Sequence, residues 1–538
     1  MTTADAQAHK PPAAHPGLGW WNLYFILKVM LYFLGRIDFH ALENISFAGL
    51  LLIPLRNRFL IVARQIIAVP LGIWLFHYDS FLPPLDRLFA QLDQLLAFEP
   101  AYLLELLLRF VPGNALLALG LVTVAYYFAA KLFRVSVIVV LALFATGFQT
   151  VENSFPVAAI AQGPSQNAAL ATATDTGNDR NLNNYLNEFF ANERSRQVPL
   201  QRSPDTNNRF DILFLSVCSL AWDDMEITGV TGHPLMQQFD IIFDQFNAAT
   251  SYSGPALLRL SRASCGQPSH KALYESAAPE CRLFENLARL GYQEALLMNH
   301  DGVFNSLLER TRQFSGIDAP LFPQDGLEVT QKAFAGSPVY SDLELLSRWW
   351  SARLQEQGKP VVALYNSATL HDGNRILHHK PVFGVESYRL RINTLFDELN
   401  QFIKQLQKSD RNIVVVLIPE HGGGLRGDKM QISGMREIPS PSITHIPVAV
   451  KLIGPGLQRR GAVARVPQAT SHMSLAQLID NIIEQGVFSG RNFSAADLAR
   501  GMPETPSVSQ NEGSTVIALD NQYFISLDNE DWSQYPAQ

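Results

Sequence analysis

The sequence predicts an N-terminal multi-span α-helical membrane domain followed by an α/β domain with a mainly parallel central sheet. Apolar residues are concentrated in residues 20–150, whereas residues 180–538 have the composition of an ordinary soluble protein. After Phe210, short apolar runs alternate with longer stretches of helical periodicity, which is typical of βα units. The strongest run, Ile413–Ile418, is almost continuously β-branched and predicts a strand that is buried on both faces.

The composition sets the class of protein. The chain has 538 residues, enough for more than one domain, and a formal net charge of −7. It has no long basic run, so nucleic acid is not expected as a main partner. Residues 1–19 are polar and are expected to form a cytoplasmic tail. No small-residue cleavage site follows the first apolar segment, which is therefore expected to remain as an anchor.

The membrane domain is predicted over residues 20–153. Its five candidate spans are residues 20–35, 41–55, 59–77, 115–133 and 135–151, and several are shorter than the ~20 apolar residues that cross a bilayer. Basic residues cluster after the second and the fourth span, at Arg56, Arg58, Lys131 and Arg134. The positive-inside rule then predicts a cytoplasmic N-terminus and places everything after residue 151 outside.

Residues 85–111 carry Leu and Phe at helical spacing, interrupted by Pro100. One interpretation is an amphipathic helix, or two, at the outer membrane–water interface. The other is a helix of a buried bundle, in which its charges would need partners.

The rest of the chain divides into a linker and one domain. Residues 154–180 are mostly small and polar and predict a flexible linker. Residues 181–538 are predicted to form the α/β domain. Its candidate strands are Asp211–Val217, Ala295–Met298, Val361–Tyr365, Ile413–Ile418 and Val448–Leu452, with Thr515–Leu519 and Gln522–Ile525 as added edge strands. Helical patterns fall around residues 255–263, 283–290, 341–355 and 386–407.

A carboxylate and an imidazole follow the strongest strand. Glu420 and His421 stand at its carboxyl end, where open α/β sheets place their chemistry, and three glycines come next. Glu and His are ordinary zinc ligands. The alternative is a solvated strand end with an acid and a His by chance.

The three cysteines suggest two different roles. Cys265 and Cys281 flank a loop and form the natural disulfide pair if the domain lies outside the cytoplasm. Cys218 is left over, directly after the strand Asp211–Val217. It is either a buried structural thiol or a metal ligand, and an oxidising compartment favours the ligand.

Ser253 is followed by Gly254, Pro255 and an apolar-periodic run, which indicates a helix start. It is either an ordinary N-cap or a nucleophile. At a helix N-terminus, a serine alkoxide and an incoming phosphate would both be stabilised. The chain contains no G-x-S-x-G motif, which disfavours a hydrolase triad.

Together these residues resemble the alkaline phosphatase superfamily, and within it the BcsG family of cellulose phosphoethanolamine transferases of bacterial inner membranes. The resemblance covers essentially the whole chain. It is carried by the multi-span N-terminus and by the segments VCSLAWDD, NAATSYSGPALLRLSRASCGQ, TLHDGN and PEHGGGLRGDKMQISGMREIPSPSITHIPV.

The resemblance implies an alkaline-phosphatase-like fold for residues 181–538, in the periplasm. It implies zinc held by Cys218, Ser253, Glu420 and His421, with Ser253 carrying the phosphoethanolamine. It also implies phosphatidylethanolamine as donor, cellulose as acceptor and other cellulose synthase subunits as partners. In the lipid A transferases of the superfamily an acid and a Thr stand where this chain has Cys218 and Ser253, so selectivity need not follow those relatives.

Three more residues match family active-site positions: Tyr252, His371 and Arg436. Arg436 suits a phosphoryl oxygen, or it forms a surface ion pair with Glu437 or Asp428. His371 protonates a leaving alcohol or binds phosphate, or is a satisfied loop histidine. Tyr252 contacts the phosphoryl group or packs.

Two other functions compete with the transferase. One is a zinc phosphatase or phosphodiesterase that gives the group to water. The other is a non-catalytic membrane scaffold of the cellulose secretion complex. None of the cysteines lies in a C-x-[PA]-x-R sequence, so a formylglycine sulfatase is not expected.

Overall fold

The computed structural model describes most of the chain, in two compact units. The described residues are 17–35, 37–55, 57–80, 98–110, 113–154, 168–200, 204, 208–356, 358–527 and 531–536. The first unit comprises residues 1–88 and 108–172, and the second comprises residues 89–107 and 173–538. Most of the predicted tail lies outside the described residues, as do residues 85–97 of the predicted amphipathic segment.

Each predicted span coincides with a helix of the first unit. These helices are Trp21–Phe33, Ala41–Leu52, Arg58–Tyr78, Gly113–Leu132 and Val135–Ser154. Among the described helices, Arg58–Tyr78 alone is long and apolar enough to cross a membrane by itself. A second candidate span arises if Leu116–Leu132 and Val135–Phe148, which are bent by 116°, count as one. The structure thus supports one or two spans, and five stays a prediction.

The predicted linker is helical in its second half. Residues 155–167 lie outside the described residues, but a helix runs from Ala168 to Ser195. Composition alone had indicated a flexible segment to residue 180. The helix is anchored further along, where Leu182 and Phe189 are buried against Val508 and Ile517. The helix thus begins inside the predicted linker, and the flexibility of residues 154–180 stays a prediction.

The second unit contains sixteen described strands. In chain order they are β1 Asp211–Val217, β2 Ile241–Asn247, β3 Gln293–Met298, β4 Val329–Lys332, β5 Pro338–Tyr340, β6 Val361–Ser367, β7 Arg375–Ile376, β8 Ile413–Pro419, β9 His445–Ile453, β10 Gln458–Arg460, β11 Ala464–Thr470, β12 Asn492–Ser494, β13 Val508–Asn511, β14 Ser514–Leu519, β15 Gln522–Leu527 and β16 Trp532–Gln534.

Seven of these strands form the central sheet, in the order β11-β2-β9-β8-β1-β6-β3. Only β9 pairs antiparallel with its neighbours, so the mainly parallel sheet is confirmed. All five predicted central strands are present. The sequence missed β2 and β11, because Asp244 and Gln245 interrupt the apolar pattern of one and Pro467 interrupts the other. Both carry register shifts, which are typical of the rim of a sheet.

Helices pack on both faces of this sheet. The described helices that lie wholly or partly in the second unit are Pro100–Phe110, Ala168–Ser195, Trp222–Thr228, Ser253–Ser261, Leu283–Arg289, Leu307–Ser315, Asp342–Gln355, Gly384–Leu406, Pro441–Thr444, Met473–Glu484 and Ala495–Leu498. Alternate residues of β8 enter opposite cores: Val414 and Val416 pack in one, and Val415 and Leu417 in the other. Burial on both faces explains the continuous apolar run.

The two predicted edge strands belong to a separate sheet. β14 and β15 form an antiparallel hairpin within the four-stranded sheet β13-β14-β15-β16. Asp520 and Asn521 join them with φ values of 51° and 60°. Such a two-residue turn pairs neighbouring strands locally, so both were correctly expected as strands, but they are inner strands of this sheet and not edge strands.

The disulfide yields a stability prediction. Cys265 and Cys281 are bonded across a sequence separation of 16. Because the bond restricts the unfolded chain, we expect Cys281→Ser to lower the free energy of unfolding by about 2–4 kcal/mol. Thermal unfolding of the full chain in detergent measures this as a lower midpoint. A reductant should lower the midpoint of the wild type but not of the variant, and equal midpoints throughout would contradict the prediction.

Candidate active site

The candidate site lies where neighbouring central strands end. β1 and β8 are adjacent and parallel, with Val217 paired to Pro419. The next residues, Cys218 and Glu420, therefore leave the sheet side by side, and the Glu420 N–H donates to the Val217 carbonyl at 2.9 Å. The sheet brings together two side chains that are about 200 positions apart in the sequence.

Three buried donors form a compact cluster. One ligand atom each from Cys218, Glu420 and His421 lies within 4.8 Å of the others. Cys218 Sγ is 3.8 Å from His421 Nε2, which is 4.0 Å from Glu420 Oε2. Sulfur, nitrogen and carboxylate oxygen are the donors that zinc takes in proteins.

The tautomer of His421 leaves the Nε2 lone pair available to a metal ion. His421 Nδ1 lies 2.9 Å from the Gly422 carbonyl, an acceptor, so Nδ1 carries the hydrogen and the Nε2 lone pair faces the cluster. Burial, reinforced by nearby Arg436, lowers the pKa of His421 well below its usual value. The imidazole is therefore neutral, as a metal ligand must be.

Of the other two donors, the thiol is neutral and the carboxylate has an oxygen that lacks a partner. Burial, with the neighbouring Glu420 carboxylate, raises the pKa of the Cys218 thiol to about 12. Glu420 Oε1 accepts a hydrogen bond from Asn366, whereas Oε2 is buried with no hydrogen-bond partner among the described residues. A buried carboxylate oxygen without a partner is costly, and a metal ion would satisfy it. The donor set fits zinc.

Ser253 completes the cluster from a neighbouring helix. The helix Ser253–Ser261 begins at this residue, and Tyr252 takes the N-cap position, so Ser253 is not the N-cap. Its Oγ lies 3.4 Å from Cys218 Sγ and 3.4 Å from His421 Nε2. The hydroxyl thus faces two of the donors, at a helix end that favours anions.

Arg436 adds a positive charge beside the cluster. Its Nη1 donates to Ser219 Oγ at 3.1 Å. Burial opposes its charge, but Cys218 and then the nearby tyrosines and Asp372 outweigh burial and raise the pKa of the guanidinium. The ion-pair partners considered from sequence are engaged elsewhere, since Glu437 accepts from Tyr252 and Asp428 from Tyr535.

Tyr252 and His371 are the remaining two predicted site residues, and each makes its own set of contacts. The Tyr252 hydroxyl donates to Glu437 Oε1 at 2.7 Å, which is a positioning contact. His371 follows β6, with Nδ1 2.8 Å from the Asp372 carbonyl and its ring stacked on Phe334 at 4.3 Å between centroids. Burial, with Arg436, lowers the pKa of His371 to about 3. At neutral pH this imidazole is uncharged and offers Nε2 as an acceptor.

Two polar residues that sequence reasoning missed hold the cluster in place. Asn366, at the end of β6, donates to Glu420 and accepts at 2.8 Å from His300. Asp224 accepts from the Ala221 N–H at 2.9 Å and from the Gly423 N–H at 2.7 Å. The signal for Asn366 was its position at a strand end beside Glu420, and for Asp224 its place in the first turn of a helix.

A third missed residue comes from the separate sheet. Asn511 ends β13 and donates to Ser251 Oγ at 2.6 Å and to the Glu437 carbonyl at 2.9 Å. It thereby ties the loop before Ser253 to the loop that carries Arg436. No local sequence pattern marks Asn511, because its partners are distant in the chain.

Comparisons with known proteins agree over nearly the whole chain. Residues 21–147 match the cellulose biosynthesis protein BcsG N-terminal domain, and residues 166–532 match the BcsG C-terminal domain. Proteins named cellulose biosynthesis protein BcsG from Salmonella typhimurium and Escherichia coli K12 are 38% and 37% identical, each over 97% of this chain and 96% of the relative. A solved alkaline phosphatase superfamily protein from Vibrio parahaemolyticus is 16% identical, with a TM-score of 0.46 over 63% of this chain and 81% of that one.

The contact between Asn366 and Glu420 predicts weaker metal binding when it is lost. We expect Asn366→Ala to lower zinc affinity about 10–100-fold, because residues that orient a ligand contribute this much. Competition with a chromogenic chelator measures the affinity. Asn393→Ala, at an exposed position of the helix Gly384–Leu406, is the matched control. Equal affinity of the two variants would rule out this role for Asn366.

Proposed function

Because the chain belongs to the cellulose biosynthesis protein BcsG family, we propose that it is a zinc-dependent phosphoethanolamine transferase acting on cellulose. The donor is phosphatidylethanolamine, and the acceptor is the glucose C6 hydroxyl of nascent cellulose. One observation carries the proposal: the Ser253 hydroxyl, at a helix N-terminus, lies 3.4 Å from both the Cys218 thiol and the His421 imidazole.

Cys218, Glu420 and His421 would hold the zinc, with Ser253 as the fourth ligand. When bound, zinc supplies a Lewis acid that favours the deprotonated Ser253 hydroxyl over the alcohol. Asn366 orients the Glu420 carboxylate, and the Gly422 carbonyl fixes the His421 tautomer. The site needs no separate histidine base for the nucleophile.

In the first half of the reaction, Ser253 Oγ attacks the phosphorus of the donor lipid. A bond forms between Oγ and phosphorus, and the bond from phosphorus to the diacylglycerol oxygen breaks. The proton lost by the serine is balanced by the one gained by diacylglycerol. Arg436 and the free N–H groups of the helix that begins at Ser253 stabilise the charge on the phosphoryl oxygens.

In the second half, a glucan hydroxyl attacks the phosphoethanolamine on Ser253. The acceptor oxygen bonds to phosphorus, Oγ leaves, and the serine regains a proton. His371 is neutral and its Nδ1 is engaged by the Asp372 carbonyl, so Nε2 can accept a hydrogen bond from the incoming hydroxyl, whose proton is finally taken up by Ser253 Oγ. A neutral His371 does not suit the leaving-group acid, which was one of the roles considered from sequence, and instead orients the incoming hydroxyl.

We propose the following arrangement in the cell. Residues 20–153 form a multi-pass domain in the bacterial inner membrane, and residues 181–538 form the periplasmic catalytic domain. The disulfide supports this placement, because such bonds persist in oxidising compartments. The helices of the first unit support a membrane role, and docking to other cellulose synthase subunits follows from the family.

The covalent step predicts a mass change. Full-length protein purified with zinc and incubated with phosphatidylethanolamine should gain one phosphoethanolamine on Ser253, because the group is held there between the two half-reactions. Intact mass with peptide mapping detects it. Ser253→Ala should show no adduct, whereas Ser351→Ala, an exposed helical serine, should behave as the wild type. Free phosphoethanolamine without an adduct would indicate a hydrolase, and neither product would indicate a scaffold.

The proposed role of the Arg436 guanidinium gives a second prediction. Arg436→Lys keeps the charge but loses the planar fork, so we expect kcat to fall about 10²–10³-fold with zinc content unchanged. Steady-state transfer with metal analysis checks both quantities. An unchanged kcat would remove Arg436 from the phosphoryl site.

A further inference from the structure

A segment far from the catalytic domain in the sequence packs beside the candidate site. Residues 98–107, here called the clasp segment, lie between the predicted spans 59–77 and 115–133 but belong to the second unit. The segment includes the start of the helix Pro100–Phe110. Its contacts are with the loop that follows β6, which carries His371, with Arg375 of β7, and with β4 and the turn after it.

Tyr102 makes the central contact. It is 7% exposed, and its hydroxyl donates to Asp372 Oδ2 at 2.9 Å. Its ring covers Gly373 so closely that a Cβ there would lie 2.6 Å from a ring carbon. Gly373 also has a φ of +79°, so the loop and the ring fit each other only with glycine at this position.

Charged pairs flank the tyrosine on both sides. Glu105, one helical turn after Tyr102, pairs with Arg375, and Glu99 pairs with Lys332. The Glu105 and Arg375 side chains are 12% and 22% exposed, so this pair is partly withdrawn from water. The charges of the amphipathic segment thus find partners in the catalytic unit.

An aromatic stack extends from the clasp segment to His371. Phe98 meets Phe334 edge-on at 5.2 Å between centroids, and Phe334 stacks on the His371 ring at 4.3 Å. The Glu99 N–H also donates to the Phe334 carbonyl at 3.0 Å. His371 is therefore fixed by the segment through its ring and through the adjacent Asp372.

We propose that the clasp segment forms one wall of the active site and that Tyr102 is a positioning residue for His371. Tyr102 holds the Asp372 side chain, and the carbonyl of the same residue engages His371 Nδ1. The two hydrogen bonds keep Nε2 directed at the incoming glucan hydroxyl. This inference rests on the proposed function, since it assigns Tyr102 to its second half-reaction.

Small displacements of a group that orients a reacting hydroxyl cost much in rate, so losing one of these hydrogen bonds should be measurable. In Tyr102→Phe the ring remains and the hydroxyl is lost. We expect kcat for transfer to glucan to fall about tenfold, with the KM for the donor and the yield of Ser253 adduct unchanged. Tyr523→Phe, which removes an exposed hydroxyl from β15, is the matched control and should leave both steps unchanged.

Exchanging the charges of Glu105 and Arg375 tests whether the clasp segment forms a wall of the site. Glu105→Arg and Arg375→Glu should each slow transfer and speed hydrogen exchange of the backbone amides of residues 371–375. The double variant should restore both readouts, because the ion pair is re-formed with reversed signs. Exchange is measured on the full chain in detergent without substrate, so it does not depend on turnover.

The outcomes separate this proposal from the function on which it rests. A wild-type protein that forms no Ser253 adduct defeats the proposed function. Normal adduct and normal transfer in Tyr102→Phe, with no change in exchange in either charge variant, defeat the role of the clasp segment alone. Slower transfer with equal loss in Tyr523→Phe would also overturn it, since the effect would then not be specific to the wall.

Discussion

The site depends on three adjacent strands, β8, β1 and β6, that end at the same level. Glu420 and Cys218 directly follow β8 and β1, and Asn366 is the penultimate residue of β6, so the three side chains meet at one buried point. Glu420 Oε2 is buried there with no hydrogen-bond partner among the described residues, which is unfavourable without a cation. The extensive core on both faces of the sheet stabilises this arrangement. Metal binding by this cluster would therefore be coupled to the fold, because the strands determine the geometry and an ion would remove its electrostatic cost.

The remaining parts of the site are held by polar residues that act on the backbone. Asp224 accepts hydrogen bonds from both sides of the cluster, from Ala221 after β1 and from Gly423 after β8. Burial raises the pKa of Asp224 to about 7, and the hydrogen bonds from its three backbone donors oppose that rise. Backbone N–H groups that are held in this way need not reorient when negative charge develops on a phosphoryl group. Rigid support of this kind suits a transferase, which must position two different oxygens in turn.

Sequence alone predicted the parts of the fold that have a local pattern. The run Ile413–Ile418 and the pair Glu420–His421 were visible because burial on both faces gives a continuous apolar strand, and chemistry follows its end. β2 was missed because Asp244 breaks that pattern, although the strand leads to Ser253. Asn511 and Tyr102 have no local signature, since their roles come from pairings across long stretches of chain. The helix that begins at Ala168 was not predicted, because its first residues are small and polar. Packing of its later residues stabilises the helix despite that composition.

The position of Asn511 has a consequence for biogenesis. It joins the nucleophile loop at Ser251 across 260 residues, so the ribosome must synthesise all of that intervening sequence before the loop can be secured. A chain that stops before Asn511 lacks the hydrogen bonds from that side chain to Ser251 and to the Glu437 carbonyl. The tie between the loop before Ser253 and the loop that carries Arg436 is therefore one of the last contacts that translation of this domain makes available.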